Sequence, residues 1–329
     1  MTMKKRWISI AAAAVLAFSA MTAAAAENGE GVMVRVGSLK GPTSMGLVSL
    51  MEDDENGETD NDYEFTMVTA ADELLAQMIG GKLDIALIPA NVASVLYKKT
   101  DAGIHVIDIN TLGVVYAISG DDTIKSIPDL KGKTVYLTGK GTTPDYVLQY
   151  LLKENGVSLD EVTLEYKSEA TEVAAILASD SDAIGILPQP FATVAMSKNE
   201  NLKSVMDLTQ EWDKLNKDSR LVTGVTVVRD EFWNENQDAV EEFLDDHEES
   251  SEFINENVEE GARLTEKRGI IEKAAIAQKA IPYCNITCIT GEEMKEALSG
   301  YLQVLYEMAP ESVGGELPDD GFYLTDLEE

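Results

Sequence analysis

Histidine and cysteine are nearly absent from this sequence, with two of each in 329 residues. Neither His105 nor His247 has a cysteine or histidine at metal-ligand spacing, so no zinc site is expected. No Cys/His pair stands in a context that would make a nucleophile. Cations are scarce as well: 26 Lys and Arg face 59 Asp and Glu, for a formal charge of −33 and a pI near 4.3. Such a chain repels a phosphate backbone or an anionic lipid surface, which removes nucleic acid from the expected partners. The acids crowd residues 52–62 and 238–260, where a solvated loop and a solvated helix face are expected. Asp53-Asp54-Glu55-Asn56-Gly57 offers calcium-type ligands but lacks the spaced set of an EF-hand loop. Carboxylate pairs are too common here to single out an acid and a base. The expectation is therefore no catalytic residues, no resident metal and no cofactor.

Long apolar runs are also missing, apart from one at the start. Lys4, Lys5 and Arg6 precede an apolar core over residues 8–21 and small residues at 23–26. That is the layout of an export signal over residues 1–26. The core is short for a membrane span, and Glu27-Asn28-Gly29-Glu30 carries no basic stop-transfer flank. No cysteine lies near the expected cleavage point for lipid attachment. The expectation is a soluble exported monomer, in a periplasm or at the outer face of the cell membrane. Export permits a disulfide, and Cys284 and Cys288 either bridge around Asn285-Ile286-Thr287 or stay two buried thiols. So small a ring would add little chain-entropy stabilisation.

What the chain does contain is one plan written twice. Three stretches align with later ones at a constant offset of 99 residues: 36–43 over 135–142, Ala71, Glu73 and Ala76 over Ala170, Glu172 and Ala175, and DIALIPANVASVL over AIGILPQPFATVA. The last pair superimposes Ile85 on Ile184, Pro89 on Pro188 and Ala93 on Ala192. Short apolar runs at 34–38, 64–68, 84–88, 134–137, 162–166 and 183–187 read as strands, and 47–51, 71–79, 92–97, 146–152 and 173–177 carry helical spacing. This alternation predicts α/β lobes, each with a mainly parallel sheet flanked by helices. Extended segments at 114–119 and 221–228 bracket the second copy like two crossovers, and a helical tail follows. Lobe one is expected over 27–117 plus 222–329, and lobe two over 118–221.

Ligands of open α/β sheets bind outside the carboxyl ends of strands, where loops enter helices. Four loops qualify. The first supplies Ser38, Lys40, Gly41, Thr43, Ser44 and Met45, with Thr43 or Ser44 as helix cap and Gly41 letting backbone approach a ligand. Its counterpart supplies Thr138, Gly141, Thr142, Thr143 and Asp145, with Thr143 as N-cap and Pro144 as first helical residue. Lys140 in that loop, like Lys40, is either a solvated lysine or a cleft cation. The proline turns supply Ala90 and Asn91, and Gln189 and Phe191. Tyr116 is either core or cleft wall.

The stretches GSLKGPTSMGL, DIALIPANVASVLY, LKGKTVYLTGKGTTPDYVLQYLL and ILPQPFATVA resemble the ABC-transporter substrate-binding proteins, in the branch that includes nitrate, sulfonate, taurine and thiamine-precursor binders. The tail PYCNITCITGEEMKEALSGYLQVLYEMAPESVGGELPDDGFY is similar to tails of bacterial members. The resemblance implies a two-lobed periplasmic-binding-protein-like fold of the second type with two hinge crossovers. It further implies a small organic ligand closed between the lobes and a membrane permease as partner, with the four loops as contacts. The missing lipid-attachment cysteine departs from the family habit. Two other readings stay open. One is an enzyme on the same fold acting on a small organic acid or vitamin precursor, which needs a compact acid–base or metal set in the cleft; the other is an extracellular sensory module.

Overall fold

The computed structural model describes residues 31–138, 140–215 and 219–326, and the expected leader over 1–26 lies outside them. The described strands are β1 (Met33–Leu39), β2 (Asp62–Val68), β3 (Ile85–Pro89), β4 (Ile104–Leu112), β5 (Val115–Ser119), β6 (Thr134–Thr138), β7 (Thr163–Lys167), β8 (Ile184–Pro188), β9 (Lys203–Asp207), β10 (Val222–Arg229) and β11 (Ile286–Ile289). They form two sheets, ordered β11-β4-β10-β3-β1-β2 and β7-β6-β8-β5-β9. The repeat survives at the level of single residues. Val36 pairs with Phe65 and Ile85 in the first sheet, and Val135 with Leu164 and Ile184 in the second, each partner displaced by the same 99 positions.

The sheets are mixed rather than mainly parallel. In each, a parallel trio is joined by one antiparallel strand, β10 against β3 and β5 against β8. The cause is connectivity. β4 ends at Leu112 and β5 begins at Val115, so the chain enters the second sheet at the end where the parallel strands finish, and it must run back against them. β10 does the same on the return. β5 lies wholly in the second sheet, and Gly113 and Val114 link it to β4 in the first.

Burial on both faces explains the apolar runs. In β3, Ile85 and Leu87 pack with the helices Val48–Asn56 and Gln237–Glu256, while Ala86 and Ile88 face the helices Ala71–Ile79 and Ala90–Lys99. Across the second sheet, Val173 and Leu177 cover one face and Val147, Leu148 and Leu151 the other. The tail helix Gly291–Met308 buries Met294, Ala297, Leu298, Tyr301, Leu302 and Leu305 at helical spacing. Each fully buried leucine there contributes about 1.5–3 kcal/mol. One continuous core joins this helix to both sheets, with the ring of Tyr301 5.7 Å from Trp212, and Trp212 4.7 Å from Tyr150.

The calcium-type segment is helical, ending at Gly57 in the left-handed conformation with φ 71°. Its Glu52 and Glu55 carboxylates pair with Lys267 and Arg268. Solvated acids there are thus partly answered by cations from the tail.

Candidate functional site

The carboxyl ends of β1, β3, β6 and β8 each enter a helix. In the first turn Gly41 has φ 145° and precedes the short helix Pro42–Met45 as its N-cap. Thr43 Oγ1 donates to the Leu39 carbonyl at 2.8 Å, Ser44 Oγ donates to the same oxygen at 2.5 Å, and Ser38 and Ser44 hydroxyls lie 2.7 Å apart. Neither Thr43 nor Ser44 caps the helix; both bind the carbonyl behind it. Ser38, Thr43, Ser44 and Met45 are buried, with Met45 in the core. Lys40 is exposed, and nothing stands within 4 Å of the position a Cβ would take on Gly41. The turn therefore presents backbone and Lys40 rather than hydroxyls.

The third turn is fastened differently. The helix Thr143–Glu154 has Thr142 as N-cap, one residue earlier than the sequence reading placed it. Asp145 is buried and accepts from Gly141 N at 2.7 Å, Gln149 Nε2 at 2.6 Å and Tyr166 Oη at 2.8 Å. Burial, then the hydrogen bond to Asp145, pushes the Tyr166 phenol well above its ordinary range. Lys140 Nζ sits 5.5 Å from the Tyr166 ring centre, a cation–π position. Gly141 and Thr142 are exposed, and Thr138 is half-buried. Thr143 is half-buried.

The proline turns face the crossovers. Ala90 is buried, and Asn91 Nδ2 donates to the Ser312 carbonyl at 3.3 Å. Gln189 is buried: its Oε1 accepts from Thr193 Oγ1 at 2.8 Å and its N–H donates to the Val114 carbonyl at 2.9 Å. The Gln189–Pro190 peptide is cis. Phe191 is half-buried against the core of the second lobe. Tyr116 is buried, donates to the Tyr283 carbonyl at 2.9 Å, and borders a cavity of about 580 Å³ with Asp207, Lys214 and Asn285. Burial, then the Asp207 charge, raises its phenol strongly.

The hinge itself holds the residues that the sequence reading missed. Pro89 pairs with Gly224 and Pro188 with Val115, so both proline turns abut the crossovers. A Cβ on Gly224 would lie 2.5 Å from Asn110 Oδ1 and 2.8 Å from Thr43 Cγ2, which leaves room only for glycine. Asn285 Nδ2 donates to the Gly113 carbonyl at 2.5 Å, and its own carbonyl accepts from Leu112 N at 3.0 Å. Beneath runs a buried polar ladder: His247 to Asp108 at 3.2 Å, Thr226 to Asp108 at 2.9 Å, Asn110 to Thr226 at 3.1 Å and Thr111 to Asn110 at 2.9 Å. These polar residues interrupt the apolar pattern of β4, which is why that strand was not read. Their own alternation with Ile107 and Ile109 was the available signal.

The two cysteines are free thiols rather than a bridge. Cys284 is buried in one core cluster and its thiol donates to the Ala280 carbonyl, while Cys288 on β11 packs against another. His247 has no cysteine or histidine at metal-ligand spacing along the chain, but the fold brings other donors to it. Donor atoms of Asp108, His247 and Cys288 lie within 4.8 Å of one another, brought from β4, the helix Gln237–Glu256 and β11.

Two mixed α/β sheets joined by a double crossover, with four helix-entering turns at the joined ends, define a two-lobed protein of the periplasmic-binding-protein fold. Comparison with known proteins narrows this. The NMT1/THI5-like family matches residues 96–260, and the chain belongs to that family. A candidate binding protein of Brucella abortus (strain 2308) is 25% identical over 249 residues, 74% of each chain. The crystal structure of an ABC transporter from Parabacteroides distasonis is 25% identical, with TM-score 0.75 over 90% of this chain and 99% of that one. The periplasmic aliphatic sulphonate binding protein SsuA from Escherichia coli, 14% identical, shares the fold with TM-score 0.71 over 90% of this chain and 98% of its own. The Brucella relative and the Escherichia coli neighbour are both named as binding proteins. Among the described residues no helix is long and apolar enough to cross a membrane.

Proposed function

We propose that this chain is the extracytoplasmic solute-binding component of an ABC-type importer, without catalytic activity of its own. The observation that carries the reading is the pairing of half-sites. Turns at residues 38–45 and 89–91 on one sheet have structural equivalents at 138–145 and 189–191 on the other, and both proline turns abut the crossovers. A ligand touching both sets has differential affinity for the closed arrangement, which is what makes closure a signal to a permease. Lobe one is residues 32–112 with 222–326, and lobe two is residues 115–215. The ligand is a small organic molecule; Lys40 and Lys140, both exposed on their turns, favour one with an anionic group. The sulphonate named for the Escherichia coli protein is one member of that class.

A thermal-shift screen of the purified chain against organic anions, aliphatic sulphonates and vitamin precursors tests this. Ligand at a hundredfold over its dissociation constant stabilises by about 2.7 kcal/mol. The joint Lys40→Ala, Lys140→Ala variant is expected to lose at least tenfold in affinity for the responding compound. A flat response across the panel together with turnover of any member would overturn the reading in favour of an enzyme.

A further inference from the structure

We propose that Asp108, His247 and Cys288 form a buried site for one borderline divalent metal ion of the zinc class, lying behind the hinge and separate from the ligand cleft. The three donors are a carboxylate, an imidazole and a thiol, the ligand set that zinc takes and that magnesium or calcium does not. Zinc bonds of about 2.0–2.3 Å place tetrahedral ligand atoms roughly 3.3–3.8 Å apart. Asp108 Oδ2 and His247 Nδ1 are already 3.2 Å apart, and all three donor atoms fall within 4.8 Å, so small side-chain adjustments complete the geometry.

Two further observations point to a cation there. The first is electrostatic. Asp108 is wholly buried and has no Lys or Arg partner among the described residues, and the carboxylates of Glu248 and Asp245 also act on Cys288. A divalent ion between the Asp108 carboxylate and a Cys288 thiolate makes a neutral group, where the carboxylate alone is a buried charge. Binding breaks the Cys288 S–H bond, forms the sulfur–metal bond and releases that proton to solvent. The second is the far side of the ring. His247 Nε2 and Ser251 Oγ are both buried without a hydrogen-bond partner, and they border the same space, 3.4 and 3.1 Å from where a Cβ on Gly46 would sit. With Nδ1 on the metal, Nε2 carries the proton, in the space that it and the Ser251 hydroxyl both border. Cys288 is the only half-buried member of the three, which gives an ion a route in from solvent.

The site would tie β11 to β4 just beyond Asn285, whose side chain holds the Gly113 carbonyl of the first crossing. Cobalt(II) titration of the full chain, purified without a polyhistidine tag and kept reduced, tests the assignment. One equivalent is expected to raise a near-ultraviolet thiolate-to-cobalt band, retained in Cys284→Ser and abolished in Cys288→Ser. Zinc is expected to raise the wild-type Tm and to leave that of Cys288→Ser unchanged. Should Cys288→Ser fail to fold, alkylation of the wild type read by peptide mass spectrometry decides, with zinc shielding Cys288. No thiolate band in the wild type, a band that persists without Cys288, or a Cys288 alkylated equally with and without zinc would each sink the proposal.

Discussion

The two copies of the repeat share a backbone plan and differ in how each holds its leading turn. In the first lobe, three buried hydroxyls from Ser38, Thr43 and Ser44 gather on one another and on the Leu39 carbonyl, so the turn is closed by several neutral contacts. In the second, one carboxylate, Asp145, collects three donors and holds Gly141, Gln149 and Tyr166 at once. Equal register thus does not mean equal fragility. A turn fixed by many weak bonds loses little with any one of them, whereas a turn hung on one charged acceptor loses all of its fastening together.

The sharpest way to break that comparison is Asp145→Ala. Bonds to a charged acceptor contribute about 1.5–3 kcal/mol each and are not additive, so a loss of roughly 3–4 kcal/mol is expected, with the 138–145 turn disordered. Urea unfolding followed at Trp212 measures it, and a loss below that of any first-turn hydroxyl variant would erase the distinction. Gly224→Ala comes next. Its methyl would meet Asn110 and Thr43 at 2.5 and 2.8 Å, and overpacking of this kind costs about 1–3 kcal/mol. Because Thr43 sits in a turn proposed to meet the ligand, ligand affinity is expected to fall as well, which calorimetry would read. Ser44→Ala removes one donor from a carbonyl that keeps Thr43, and is expected to cost about 1 kcal/mol with the turn intact.

The same contrast explains what could be read in advance. The repeated strands and helices were legible because β3 and β8 are buried on both faces and therefore uniformly apolar, and because the offset of 99 residues carried each assignment from one copy to the other. β4 was not, since Asp108, Asn110 and Thr111 break its apolar run for the sake of the polar ladder. β9 and β11 are short edge strands with little burial to mark them. For the site, the sequence located the turns but not the direction of their hydroxyls. A serine in a turn is equally suited to a ligand or to its own backbone, and only the packing behind Leu39 decides. Asp108, His247 and Cys288 share no spacing at all, so nothing short of the fold brings them together.

The smallest expected effect separates the lobes by pH. In the second lobe Asp121 is held down to about 2 by Thr123 and Lys133. Its contribution is complete above the ordinary carboxylate range and is lost as pH falls through about 2. On the first lobe's acidic helix, burial and then neighbouring acids raise Glu242; Asp246 is raised chiefly by burial, against the lowering effect of the bond from Tyr63 and with smaller contributions from Glu249 and Asp53. A raised carboxyl acts in the opposite sense. Between its unfolded value and its higher folded value the unfolded chain binds fewer protons, so stability declines as pH rises across that interval. Asp246→Asn keeps an acceptor for Tyr63 Oη, 2.5 Å away, and removes the ionisation. The variant is therefore expected to melt slightly higher than the wild type at pH 7, with the gain vanishing toward pH 4. Asp121→Asn should melt slightly lower at pH 7, and its deficit should shrink only as pH drops toward 2. Parallel melts across pH 2–7 read both, and a gain for Asp246→Asn that persists at pH 4 would mean that packing, rather than buried charge, sets the cost of the acidic face.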